Sequence, residues 1–297
     1  MVKHGLVLSG GGAKGSWEAG AAAAVLEHYA STDAPVSVIS GTSVGGLNAV
    51  GIASGGPRYP MELWSDIQTK DVYRGSKFGL PWRLRSKSAI YDSKPLWKFI
   101  QRHVDIDQVR NSEYRVFVHA TKLGSKQSII FTNEDFDLLV GVYAGGSVPG
   151  AFPPVRWNGH WLVDGGTIDN SPIRTLIRHG CNKVTLIYLD SEMPADPIPA
   201  GQLAPIPNTD RPRIAGVVSA SIESMMDSIF WRDLRNVQMI NRMVDAGTDT
   251  NGYRHIDLQM IHPYQHLGDT LDFNTDVMRL QMEDGFHTAL RVLTRLE

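Results

Sequence analysis

Apolar and polar positions change period several times within the first fifty residues, and those changes outline the start of a fold. The run Leu6-Val7-Leu8 is continuously apolar and predicts a buried strand. Residues 16–29 then follow a helical period. Trp17, Ala21, Ala24, Val25 and Leu26 form a face suited to a sheet, and the alanines favour helix and close packing. Residues 36–39, Val-Ser-Val-Ile, predict a short β-branched strand, and 44–53 a helix of small residues. Strand, helix, strand and helix in this order predict a parallel α/β sheet.

Farther along, the period predicts helices over 61–67, 96–104 and 136–144, and a strand over 114–122. Gly124-Ser125 predicts a hairpin turn into 128–131, and Asn158-Gly159 a second one joining 155–157 to 161–163. A helix around 176–179 leads to the apolar strand 184–189, of the type buried on both faces. Residues 194–212 hold six of the sixteen prolines with little apolar pattern. They read as a surface excursion and not a linker, because neither flank looks self-sufficient. A long helix is expected over 214–245, with Met225, Met226, Ile229, Phe230, Met239 and Met243 as adaptable core filling. A strand over 253–260 and an amphipathic helix over 276–296 end the chain. The expected organisation is one domain over 1–297, its motifs within about 4–190, with a helical part, 214–297, packed on it.

Composition narrows the classes. At 297 residues, 42% hydrophobic and 20% charged, the chain reads as an ordinary globular protein with a sizeable core. A formal charge of −2 gives no general case for nucleic acid as a partner. The single cysteine, Cys181, excludes an intrachain disulfide and a cysteine-based zinc cluster, and reads as a buried thiol. The sequence enters its first strand without a signal-peptide pattern, and no run of about 18 apolar residues appears. A cytoplasmic setting is the expectation.

Candidate chemistry begins at Gly41-Thr42-Ser43-Val44-Gly45, a serine between glycines at a strand-to-helix turn. Such a turn can hold a serine in an unfavourable backbone conformation with its hydroxyl projecting beside a helix N-terminus. The loop Ser9-Gly10-Gly11-Gly12-Ala13-Lys14-Gly15 also stands between strand and helix. Gly10, Gly12 and Gly15 satisfy a dinucleotide-binding spacing, but no acidic residue ends the second strand. A phosphate-binding P-loop needs Gly-Lys-Ser, and the order here is Lys14-Gly15-Ser16. Unobstructed N–H groups converging on an anion remain, and an oxyanion hole uses them beside a nucleophile. Asp164 ends a strand ahead of Gly165 and Gly166, which leaves its carboxylate accessible.

These three motifs, in this order and at these separations, resemble the patatin-like phospholipase family. So do the segments Ser147-Val-Pro-Gly-Ala-Phe-Pro-Pro154 and Asp169-Asn170-Ser171-Pro172. The resemblance covers about 6–189. It implies a three-layer α/β/α sandwich with a mainly parallel central sheet, and a Ser–Asp dyad without histidine. By position, Ser43 is the implied nucleophile and Asp164 the base. Gly10, Gly11, Gly12 and the Val44 amide build the oxyanion hole, and Gly15, Gly41, Gly45, Gly165 and Gly166 shape the motifs. The implied substrate is a phospholipid or another acyl ester, cleaved through an acyl-serine, with no cofactor and no metal. An aspartate base near its ordinary pKa is weak, so such a dyad needs a partly dry site.

Two other readings stay open. A Ser–Asp–His triad could recruit His179, His255, His262, His266 or His287, all of which follow Asp164. A non-catalytic lipid-binding protein could keep the fold. The stretch 70–87 carries six cations against Asp71, interleaved with Tyr73, Phe78 and Trp82. It reads either as a solvated loop or as a segment touching an anionic membrane through Arg74, Lys77, Trp82, Arg83 and Arg85.

Overall fold

The computed structural model describes residues 2–75, 88–191, 214–248, 250 and 252–294. Strands β1 (His4–Leu8), β2 (Val36–Thr42), β3 (Arg115–Lys122), β4 (Ser128–Thr132), β5 (Val155–Trp157), β6 (His160–Asp164), β7 (Lys183–Ile187) and β8 (Asp257–Ile261) form one sheet. The pairs β1–β2, β2–β3, β1–β7 and β7–β8 are parallel, so its centre is parallel, as the βαβα opening predicts. The two hairpins bring antiparallel pairs, and Asn158 and Gly159 at the tip of the second both take positive φ, as a tight hairpin turn requires.

Successive side chains of the central parallel strands alternate between two cores. Leu6, Leu8, Ile39, Val116 and Val118 face one side. Packed there are α1 (Gly15–Tyr29), α2 (Val44–Gly55), α3 (Tyr59–Asp66), α4 (Thr69–Val72), α5 (Lys94–His103) and α6 (Ile106–Arg110). So are α7 (Leu138–Gly145) and the closing helix of the chain. Val7, Val38, Phe117, Val184 and Leu186 face the other side, against α8 (Ile173–Arg178) and α9 (Ile214–Asp245). Helices on both faces of one sheet make the expected three-layer sandwich.

The registers explain how the antiparallel part meets the parallel one. Residues 117–119 of β3 pair with both β2 and β4, so those two strands lie on opposite edges of β3. Residues 120 and 121 pair with both β4 and β6. β6 therefore shares the β2 edge of β3 and runs toward the end of β2 from the opposite direction. Thr42 pairs His119 and Asp164 pairs Ala120, so the two strands end head to head.

The closing helix, α10 (Thr275–Thr294), lies along α1. Its cover explains why every residue of α1 except Glu27 and His28 is buried. The sequence assigned Trp17 to the sheet-facing stripe, but its indole N–H donates to Asp284 of α10 at 2.8 Å. A Cβ at Gly20 would overlap the Met282 carbonyl, and one at Gly285 the Trp17 carbonyl. Gly20→Ala is accordingly expected to push the two helices apart and lower stability by about 1–3 kcal/mol, measurable in denaturant melts.

Several expectations are corrected or fall elsewhere. Met225 and Met239 are exposed on α9, whereas Phe230 and Val237 supply its buried stripe. Tyr73 is not free for a membrane: its ring packs against Tyr91, Phe152 and Phe273, and its hydroxyl donates to the Leu271 carbonyl. Arg74 is exposed and its backbone bridges Asp92. Lys77, Phe78, Trp82, Arg83, Arg85 and Lys87 lie outside the described residues, as does 194–212. Cys181 is buried, which pushes its thiol pKa up to about 11. Among the described residues no helix is long and apolar enough to cross a membrane.

Candidate active site

The head-to-head meeting of β2 and β6 is what joins residues 43 and 164. Ser43 takes φ 55° and ψ −125°, a region that residues other than glycine rarely occupy. The flanking glycines are needed because the turn is crowded: a Cβ at Gly41 would overlap the Gly45 carbonyl, and one at Gly45 the Leu8 carbonyl. Ser43 stands at the N-cap of α2, yet its hydroxyl makes no capping bond. The backbone is held by Gly46 and Leu47 N–H groups donating to the Ser43 carbonyl. The side chain is left for chemistry.

Asp164 is buried and approaches from the end of β6. Its N–H donates to the Ser147 carbonyl at 3.0 Å, and its Oδ1 accepts the Gly166 amide at 2.7 Å. Oδ2 accepts no hydrogen bond, and the Ser43 hydroxyl is the neighbouring side chain that favours its ionised form. Burial outweighs both donors and pushes the carboxyl up to about 6. A carboxylate of that basicity beside the serine hydroxyl can accept the serine proton near neutral pH. Met226 of α9 lies over the Gly165–Gly166 turn, close enough that a Cβ on Gly166 would touch its methyl.

The glycine loop wraps over the elbow, but its amides are not equivalent. Gly10 N–H donates to the Asn170 carbonyl at 3.1 Å, which withdraws it from the expected oxyanion set. Ala13 N–H donates to Thr270 and Lys14 N–H to Gly11. No backbone acceptor takes the amides of Gly11, Gly12 or Val44 among the described residues. Gly12 has φ 58°, and a Cβ there would overlap the Thr270 carbonyl, so only glycine fits. Gly15 packs against Val44 and Trp64.

Beneath the loop lies a polar layer that sequence reasoning missed. Asn48 donates to the Gly15 carbonyl and to Glu18, both at 2.9 Å, and accepts the Trp64 indole N–H at 2.8 Å. Glu18 is fully buried, and desolvation raises its pKa well above the ordinary value, against the hydrogen bond from Asn48. On the other side, Thr42 donates to the Asp169 carbonyl at 2.8 Å and Asn170 Nδ2 to the Gly10 carbonyl at 3.4 Å. Residues 169 and 170 thus tie the elbow to the glycine loop. Burial, helped by the Asp233 carboxylate, pushes Asp169 up to about 7 against Arg174 and Arg232. The segment 169–172 was legible as a motif, but its role needed these partners.

None of the five candidate histidines bonds to Ser43 or Asp164 among the described residues. His179 Nδ1 bonds to the Thr175 carbonyl, His255 to Asp245, His262 to the Pro263 carbonyl and His266 to the Gly268 amide. His287 is exposed beside Phe286. His119, which the sequence did not single out, is fully buried with Nε2 on Ser40 at 3.0 Å, and desolvation lowers its pKa to about 3. It is a neutral core residue.

An apolar cleft opens at Ser43. It begins at Gly12 and Val44 and is walled by Trp64, Leu96, Phe152 and Phe273. Such an arrangement can hold a hydrocarbon group with its carbonyl at the hydroxyl, beside the amides of Gly11, Gly12 and Val44.

Across 207 residues the chain is 26% identical to Lysophospholipase NTE1 of Meyerozyma guilliermondii, covering 63% of this chain and 12% of that protein. The Saccharomyces cerevisiae protein of the same name is 26% identical over 215 residues, covering 66% of this chain and 11% of that protein. The chain therefore matches only about an eighth of the length of these relatives. The crystal structure of VipD from Legionella pneumophila superposes on 99% of this chain and 67% of that one, with a TM-score of 0.54 at 15% identity, a likeness of fold. The sequence model described as patatin-like phospholipase matches residues 6–177, which include the elbow, the glycine loop and the Asp164 turn. That match spans more than half of the 297 residues, and the chain belongs to the patatin-like phospholipase family.

Proposed function

We propose that the chain is a lipid acyl hydrolase that cleaves carboxylic esters through an acyl-Ser43 intermediate, with Asp164 as the base. The observation that carries this reading is the Ser43 hydroxyl, free of any capping bond on a strained turn, beside the buried Asp164 carboxylate whose ionised form it favours, at an apolar cleft.

In the first step Ser43 Oγ attacks the ester carbonyl carbon while its proton passes to Asp164 Oδ2. Concerted transfer avoids a free alkoxide, which a base of this strength could not generate. The carbonyl oxygen becomes an oxyanion, received by the amides of Gly11, Gly12 and Val44 at the start of α2. As the tetrahedral carbon collapses, the alcohol leaves with the proton from Asp164. Water then attacks the acyl-serine, giving its proton to Asp164, and the fatty acid departs as Ser43 is restored. The chemistry calls only on side chains and amides of this chain.

The relatives' name makes a lysophospholipid the first substrate to try. Fatty acid release from lysophosphatidylcholine is expected, together with a covalent fluorophosphonate adduct on the peptide carrying Ser43. An adduct on another residue would overturn the assignment of the nucleophile. Absence of both fatty acid release and adduct, in folded protein, would overturn the hydrolase reading.

A further inference from the structure

The cleft at Ser43 is nearly free of polar side chains. Among the described residues, apart from Ser43 itself and Thr270, its lining is aliphatic, aromatic or glycine, and the indole N–H of Trp64 is already given to Asn48. Among the described lining residues a charged headgroup would find no charged partner and would lose its water, so this lining suits the hydrocarbon of a substrate.

Three of the lining residues, Thr270, Leu271 and Phe273, come from outside the stretch that the family model matches. Leu271 and Phe273 sit on the connection between β8 and α10, and Phe273 stacks parallel to Trp64 with ring centroids 6.3 Å apart. The same connection reaches the glycine loop through the Thr270 carbonyl, which accepts the Ala13 amide at 2.8 Å. The connection therefore touches both the cleft and the glycine loop.

One lining position is open for a different reason. Gly146, just past α7, has φ −91° and ψ 4°, a conformation any residue can adopt. A Cβ there would stand 3.5 Å from Leu96 Cδ2, its nearest neighbour, which is ordinary contact. Backbone geometry does not demand glycine at this position. What its missing side chain leaves is volume in the cleft.

We propose that the cleft receives the acyl chain of the substrate, and that Gly146 sets the chain length accepted by leaving the space beside Leu96 open. This rests on Ser43 being the acyl-accepting nucleophile. Each methylene that cannot enter forfeits its transfer from water, so filling the space penalises long chains more than short ones.

The test is a series of p-nitrophenyl esters from acetate to palmitate, read as the ratio of kcat/KM for each ester to that for acetate. Gly146→Leu is expected to lower the palmitate-to-acetate ratio roughly tenfold or more, with Gly146→Ala intermediate. Phe273→Ala is expected to raise it. A folded Gly146→Leu protein whose ratios follow wild type overturns the proposal. If that variant does not fold, an unchanged ratio in Phe273→Ala overturns it instead. Palmitate binding to Ser43→Ala, followed by calorimetry with and without Gly146→Leu, reads the cleft without turnover. Weaker binding in the double variant supports the cleft assignment even if wild type hydrolyses no ester, an outcome that would sink only the hydrolase reading. Ester hydrolysis with unchanged ratios and unchanged palmitate binding would sink the cleft assignment alone.

Discussion

Ser43→Ala is expected to bring ester hydrolysis to background, a loss on the order of a millionfold in kcat if the dyad behaves as serine triads do on losing their nucleophile. The variant should fold, because the Ser43 hydroxyl makes no capping bond and the turn is held by its carbonyl and by close packing at Gly41 and Gly45. Alanine keeps the strain of φ 55° and ψ −125°, whereas glycine relieves it. Ser43→Gly should therefore be equally inactive yet more stable than Ser43→Ala, by about 1 kcal/mol, since such strain is worth about 1–3 kcal/mol. Matched kinetics and denaturant melts separate the two effects. Fluorophosphonate labelling that persists in Ser43→Ala would mean that another residue is the nucleophile.

Asp164→Asn is expected to cost several orders of magnitude in kcat while raising stability at neutral pH. Asparagine has nearly the same shape and can still accept the Gly166 amide, but it cannot take a proton from Ser43. The stability effect follows from the pKa. Burial raises the folded-state value from 3.8 to about 6, so the unfolded chain releases this proton at lower pH than the native protein does. Stability contributed by the protonated form is present below 3.8 and lost as pH rises through about 6. Above that, the ionised, buried carboxylate costs on the order of 3 kcal/mol, at about 1.4 kcal/mol for each pH unit separating the folded and unfolded values. Asparagine removes that cost. Wild-type kcat/KM should rise with pH and level off above about 6, as Asp164 becomes available as base. A flat profile across that range, or a crippled but folded alanine variant of His179, His255, His262, His266 or His287, would return the mechanism to a histidine base.

The local elements could be read because each is a property of neighbouring residues. A continuous apolar run, a helical stripe and an Asn-Gly turn write their own geometry, and the structure differs from them mainly at ends. The helix expected over 61–67 spans Tyr59–Asp66, and the strand expected over 36–39 continues to Thr42. On α9, helical spacing marked the methionines as apolar without saying which face would be covered. Phe230 and Val237 turned inward, and Met225 and Met239 did not. Burial depends on where neighbouring elements lie, which a period does not carry.

The candidate site divides along the same line. Sequence alone determined the strained serine turn, the row of glycine amides, the aspartate before two glycines, and their order in a βα fold. Each is a steric demand met within a few residues, as where a Cβ at Gly41 or Gly45 would strike the backbone. Only the tertiary structure decided that β6 runs into the end of β2 along a shared edge of β3, because pairing register joins residues far apart in sequence. It also decided that Asn170 takes the Gly10 amide, leaving those of Gly11 and Gly12, and that Phe273 closes the cleft against Trp64. Those contacts span 160 residues or more, and no local pattern records them, since a hydrogen-bond donor or an aromatic face is the same residue whatever partner the fold brings to it.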